Sequence, residues 1–166
     1  YTYPRSPFEG LELEIGSLRN QAFAPGSSYP GSGSLTGALT TYSVIVLLMI
    51  GNWAGTAAGC NLVIRQETRV DTEASCVVVT TFFHNVSASP ITDIYYMRSC
   101  DPDNDEAHGG GTYFTTDNTV EYQNDIDHRV EVNAHGTFYD DDFNLATKDC
   151  RALAVIYNSW PISSSV

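Results

Sequence analysis

The sequence predicts an all-β protein: an antiparallel β-sandwich, jelly-roll-like in character, preceded by an extended N-terminal strand arm. Three observations carry this reading. Between residues 38 and 162, short runs rich in Val, Ile, Thr, Tyr and Phe are separated by turn residues, and no stretch holds a capped 3.6-residue apolar period. Leu11-Glu12-Leu13-Glu14-Ile15 alternates apolar and charged side chains, the pattern of a half-buried strand. Ala24 to Gly37 is dominated by Gly, Ser and Pro, the composition of a flexible tether.

Taken in order, residues 1–23 are the arm, 24–37 the linker and 38–166 the sandwich domain. The expected strands after the linker are Leu39–Ile50, Cys60–Glu67, Cys76–His84, Thr92–Cys100, Gly111–Thr116, Thr119–Gln123, His128–Ala134 and Cys150–Tyr157. Asn52, Gly55, Gly59, Pro90, Pro102, Gly109 to Gly111, Asp117-Asn118 and Gly136 are the expected breaks. The longest apolar run, Val44 to Ile50, is far shorter than the ~20 residues a membrane helix needs. Its length and β-branched start predict a strand buried on both faces. No membrane insertion is expected. The chain does not open on a basic segment followed by an apolar one, so it reads as a mature form from which a signal has been removed.

Charge narrows the function classes. The 166 residues carry 20 acidic and 8 basic side chains, a net charge of −12. Such a surface repels a phosphate backbone and anionic lipid, so nucleic acid is not an expected partner. It suits an exported protein, secreted or held at a cell surface. Four cysteines, none in a Cys-x-x-Cys pair, point the same way, to disulfides in an oxidising compartment. Asn85-Val86-Ser87 is an N-glycosylation acceptor triplet at an expected turn.

One hairpin can be drawn in detail. If His84 faces Thr92 across the Asn85–Ile91 turn, then Phe82 faces Ile94, Thr80 faces Tyr96 and Cys76 faces Cys100. A Cys76–Cys100 disulfide then leaves Cys60 with Cys150. The competing pairing joins Cys60 to Cys76 and Cys100 to Cys150.

The chemistry-bearing clusters are few. Asp101-Pro-Asp103-Asn-Asp105 places oxygen ligands at alternate positions, as Ca²⁺ requires, and the Asp140-Asp-Asp142 run offers more. Asp101, Asp103 and Asp105 are the candidate calcium ligands, although no cofactor is required by the reading. The pattern is not an EF-hand: Glu106 stands where glycine is needed, and the same residues also make an ordinary acidic turn. The four histidines form no catalytic constellation, and no nucleophile elbow, zinc-protease or phosphate-loop motif occurs. An enzyme is therefore not expected. Ten tyrosines, including Tyr95-Tyr96, allow sugar stacking or plain cross-strand packing.

Two resemblances bear on function. Phe83 to Arg98, ending in Tyr-Tyr-Met-Arg, then Asp101-Pro-Asp-Asn-Asp105, Gly110-Gly111 and Phe114 to Thr119, resembles a pattern in secreted microbial β-sandwich surface proteins. That likeness covers about 40 residues and implies an exported structural or adhesive role. The layout as a whole, a tethered alternating strand before a sandwich, resembles fibre subunits that polymerise by donor-strand complementation.

These readings combine into one expectation: the structural subunit of an extracellular fibril, a homopolymer grown head-to-tail. The N-terminal strand of one copy would enter the sandwich of the next. Phe8, Leu11, Leu13, Ile15 and Leu18 would fill the groove, Glu12 and Glu14 would turn outward, and Val44–Ile50 would lie in the receiving core. The alternative is that the strand pairs within its own chain, giving a monomeric secreted adhesion or carbohydrate-binding module, with calcium assisting.

Overall fold

A computed structural model describes residues 9–16, 18–23, 33–100, 102, 116–123 and 127–156. The protein is all-β and sandwich-like, and among the described residues there are ten strands and no helix. The strands are β1 (Glu9–Ile15), β2 (Leu18–Phe23), β3 (Gly33–Ile45), β4 (Leu48–Ala57), β5 (Leu62–Asp71), β6 (Val77–Asn85), β7 (Ile94–Cys100), β8 (Thr116–Gln123), β9 (Val130–Gly136) and β10 (Asp142–Thr147). They form a seven-stranded sheet in the order β6-β5-β4-β3-β2-β1-β7 and a three-stranded sheet in the order β10-β9-β8. The chain forms two compact units, one of Leu11–Ala22 with Ser28–Met97 and the other of Tyr1–Gly10, Phe23–Ser27 and Arg98–Val166.

In the unit that holds residues 28–97, β3, β4, β5 and β6 make an antiparallel meander. Side chains alternate across it. The inner face carries Ile64, fully buried, with Leu62, Ala57 and the partly buried Trp53 and Leu35. Trp53 explains two glycines. A Cβ at either Gly37 or Gly55, which are partners across β3 and β4, would collide with its indole. Asn52 and Gly55 are therefore mid-strand residues and not breaks, because the missing side chain makes the floor for a ring.

β7 closes this unit. It is hydrogen-bonded to β1, at the far end of the sheet order from β6. Yet the Tyr96 hydroxyl lies 3.0 Å from Thr81 Oγ1 on β6 and accepts a 3.2 Å bond from Gln66 Nε2 on β5. Its ring meets Phe83 edge-on, with centroids 5.2 Å apart. One sheet thus curls until its β1–β7 end covers the inner face of β5 and β6. Burial of Tyr96 pushes its phenol pKa up, against the lowering effect of those hydrogen bonds.

Several sequence expectations are corrected. Leu39–Ile50 is not one strand: the chain reverses at Val46-Leu47, inside the apolar run, and Val46 adopts φ 54°. Nothing local marks that turn, since no glycine or asparagine sits there. The hairpin between residues 76–84 and 92–100 is absent, because β6 pairs with β5 and β7 with β1. Residues 150–156 form no strand, and β10 lies earlier, behind the acidic run. Asp117-Asn118 lies within β8. The expected Gly111–Thr116 strand falls almost wholly outside the described residues.

In the other unit, β8, β9 and β10 form an antiparallel meander. The central strand β9 is the buried one, with Val130, Glu131 and Ala134 each at 6% exposure or less. Glu131 is held by an ion pair with Arg129, whose guanidinium sits 4.2 Å above the Tyr122 ring.

Candidate functional site: the seat of the first strand

β1 and β2 are joined through Gly16, whose φ of +57° lies in the left-handed region that glycine occupies without strain. The Gly16 amide donates to the Asp93 carbonyl at 3.3 Å, tying the turn to the approach of β7. The resulting hairpin fills the gap between β3 and β7. Among the described residues its link to β3 is slight: Asn20 is paired with Gly33 and Gln21 with Ser34, in parallel. β3 begins at Gly33, within the Gly/Ser/Pro stretch expected as a tether.

The packing is concentrated in one residue. Leu13 is fully buried against Ala57, Leu62 and Ile64, and Ile15 packs at the margin with Leu35, Trp53, Cys60, Ile91 and Tyr96. At about 25 cal/mol per Å² of apolar surface, one leucine buried in this way contributes ~2 kcal/mol. Leu11 is also buried, at 7%. Leu18 is 46% exposed and lies over Gly59, at van der Waals distance from where a Cβ would stand. Leu11, Leu13, Ile15 and Leu18 therefore occupy a seat in their own chain, and Phe8 lies outside the described residues. Glu12 is not turned outward: it is 2% exposed.

The apolar run is placed opposite to expectation. Val44, Ile45 and Val46 are 59%, 59% and 89% exposed, and Leu47 is 44% exposed. They cap the far end of the β3–β4 hairpin, where the closing strands do not reach, so Val44–Ile50 is not part of a receiving core. The Thr72 amide donates to the Leu47 carbonyl at 2.9 Å, which fixes this tip to the β5–β6 turn.

No disulfide joins Cys60, Cys76, Cys100 or Cys150. The Cys76–Cys100 and Cys60–Cys150 pairings both rested on a β6–β7 hairpin, whereas β6 is hydrogen-bonded to β5 and β7 to β1. The acceptor triplet is exposed and ordered as an Asx turn: Ser87 N and Oγ donate to Asn85 Oδ1 at 2.8 and 2.7 Å, and Asn85 Nδ2 donates to the Ser89 carbonyl at 2.7 Å. Asp101, Asp103 and Asp105 lie outside the described residues. In the second acidic run, Asp142 accepts from Asn133 at 3.2 Å and lies 3.1 Å from His135 Nδ1, while Asp140 lies 3.3 Å from His135 Nε2. The hydrogen bond to Asp142 raises the His135 pKa above its ordinary value.

No protein-family model, curated protein or solved structure matches this chain. Function therefore has to be read from the seat and from the surfaces around it.

One such surface was missed by the sequence reading. On the outer face of β4–β6 lies a shallow depression of about 540 Å³, whose walls include Asn52, Arg65, Glu67, Phe82 and His84. Asn52 Nδ2 is held by Thr41 Oγ1 at 3.0 Å, and Arg69 Nε donates to Glu67 at 2.7 Å. The signal was present in the sequence: Arg65, Glu67, Arg69 and Asp71 alternate along β5 at the period of a strand.

Proposed function

We propose that the protein is the structural subunit of an extracellular fibril, growing head-to-tail as the N-terminal hairpin of one copy takes the seat between β3 and β7 of the next. The observation that supports this reading is the fully buried Leu13 on a hairpin held to β3 by two residue pairs. Removing that hairpin strips the core of its central plug and leaves β3 and β7 as open edges. The seat makes the same contacts whichever chain supplies the hairpin, which is the condition for exchange. The short Gly/Ser/Pro tether sets the competition. A linker of this kind holds its own strand at an effective concentration of about a millimolar, so closed monomers dominate in dilute solution and exchange takes over in concentrated secretions or at a surface. Asn85, exposed in its Asx turn, is the expected site of a glycan.

The test is negative-stain electron microscopy of concentrated native protein beside a chain lacking residues 1–23. Filaments from the full chain alone support the reading. Discrete particles from the full chain at every concentration contradict it.

A second reading, a monomeric adhesion or carbohydrate-binding module, is favoured by the outer-face depression. There Phe82, 55% exposed, stands among polar and charged groups, as sugar-binding surfaces require. Glycan-array binding that is lost in Phe82→Ala supports it.

A further inference from the structure

We propose that the outer face of the β3–β6 segment is a two-fold docking surface for a second copy of this chain. This goes beyond the fibril reading and does not depend on the N-terminal hairpin.

The argument begins with β5. Arg65, Glu67, Arg69 and Asp71 occupy every second position, so all four stand on the face opposite the buried Ile64. Their signs alternate. A row of plus, minus, plus, minus reads as minus, plus, minus, plus from its other end. The row is therefore complementary to itself when laid antiparallel on a copy. With a two-fold axis in the plane of the sheet, crossing β5 beside Thr68, Arg65 meets Asp71 of the copy and Glu67 meets Arg69 of the copy. All four pairs are satisfied by one symmetry operation, as an isologous interface requires.

The surroundings fit the same occupant. Across from this row, β4 supplies Leu48, Ile50, Asn52 and Ala54, and β6 supplies Val78, Thr80 and Phe82. None of these is charged. Two arginines and two carboxylates balance, so the face is neutral in a chain of net charge −12. Two copies can meet here without the like-charge repulsion that the whole molecule otherwise imposes. Apolar area is available, with Val78 at 51%, Phe82 at 55% and Ile45 at 59% exposure. Four strands at a spacing of about 4.8 Å, each some ten residues long, give a plan area of roughly 600 Å² before side-chain relief. A stable interface takes about 800 Å² of accessible surface per partner. Sheets pack face to face about 10 Å apart, a gap that opposed arginine and glutamate side chains span. Arg69 is held by Glu67 of its own strand through Nε, and its side chain is 54% exposed, so its terminal nitrogens are open to a second carboxylate.

Charge reversal tests this in the full chain by sedimentation equilibrium at micromolar concentration, well below the range in which hairpin exchange competes. Arg65→Glu places two carboxylates opposite each other, and Asp71→Arg places two guanidiniums opposite each other. Each single variant is expected to weaken the dimer about tenfold or more. An equimolar mixture of the two variants is expected to regain the unmodified association. In the mixed dimer the new carboxylate at 65 meets the new guanidinium at 71, and native Asp71 meets native Arg65. Hairpin exchange predicts open polymers and no dependence on these charges, so its failure is separate from this one. If either variant fails to fold, the unmodified dimer must still weaken steeply with added salt. A one-chain mass for the unmodified protein, or a mixture that associates no better than its components, overturns the proposal, as does a dimer indifferent to salt.

Discussion

The two ends of the seven-stranded sheet are built from similar residues and end in opposite environments. At one end Leu13, Ala57, Leu62 and Ile64 are at most 3% exposed, because β1 and β7 fold over them. At the other, Val44, Val46 and Val77 are between 59% and 89% exposed, because the closing strands stop short. Apolar character alone does not decide burial in this molecule; the reach of the covering strands does. The buried end depends on a hairpin supplied from the N-terminus, whereas no strand among the described residues covers the open end.

Substitutions at the two ends sharpen the contrast. Leu13→Ala is expected to be the most damaging, destabilising by about 3–5 kcal/mol through lost burial and a residual cavity, read from the urea midpoint. A loss under ~1 kcal/mol would mean that the hairpin is not what closes the core. Next comes Gly55→Ala. The new methyl enters the space of the Trp53 indole, and the expected cost is about 2 kcal/mol by the same measurement. At the open end the sign reverses. Val46 sits in the left-handed region, which costs a β-branched residue roughly 1–2 kcal/mol, so Val46→Asn should raise stability by about 1 kcal/mol. Neutrality or a loss there would show the tip to be held by contacts that this structure does not place.

The smallest effect lies in the three-stranded sheet. His135 is held above its ordinary pKa first by its hydrogen bond to Asp142, and further by Asp140 and Asp117. Its folded value exceeds its unfolded one, so the contribution to stability is complete below about pH 6.5 and is lost as the pH rises through the folded value. The side chain is 41% exposed and screened by solvent, so the change is slight. An NMR titration should place the His135 midpoint above that of a free imidazole, and Asp142→Asn should bring it back. An unshifted midpoint would contradict the contact.

What the sequence made legible follows from local chemistry. Val-, Thr- and Phe-rich runs located β5, β6 and β7 within a few residues, and the alternation in Leu11 to Ile15 found β1. Long-range pairing was not legible. Adjacency in sequence made β6 and β7 look like a hairpin, and the cysteine pairing fell with it. Turns without turn residues were also hidden. Val46-Leu47 carries no glycine or asparagine, whereas Gly55 looked like a break and is the bed of an indole. In the seat itself, the inward set Leu11, Leu13 and Ile15 was visible from period two, while the burial of Glu12 depends on packing that no single strand pattern contains. The self-complementary row on β5 was readable as alternating charge, but its place on an uncovered face was not.

The central claim is that the N-terminal hairpin fills a seat open to either chain. Its most direct test is to shorten the tether by deleting residues 24–31, so that the hairpin no longer reaches the seat in its own chain, and to measure mass by sedimentation velocity across concentration. The account predicts large, open-ended assemblies at concentrations where the unmodified protein forms none. A folded, discrete monomer from the shortened chain would contradict it.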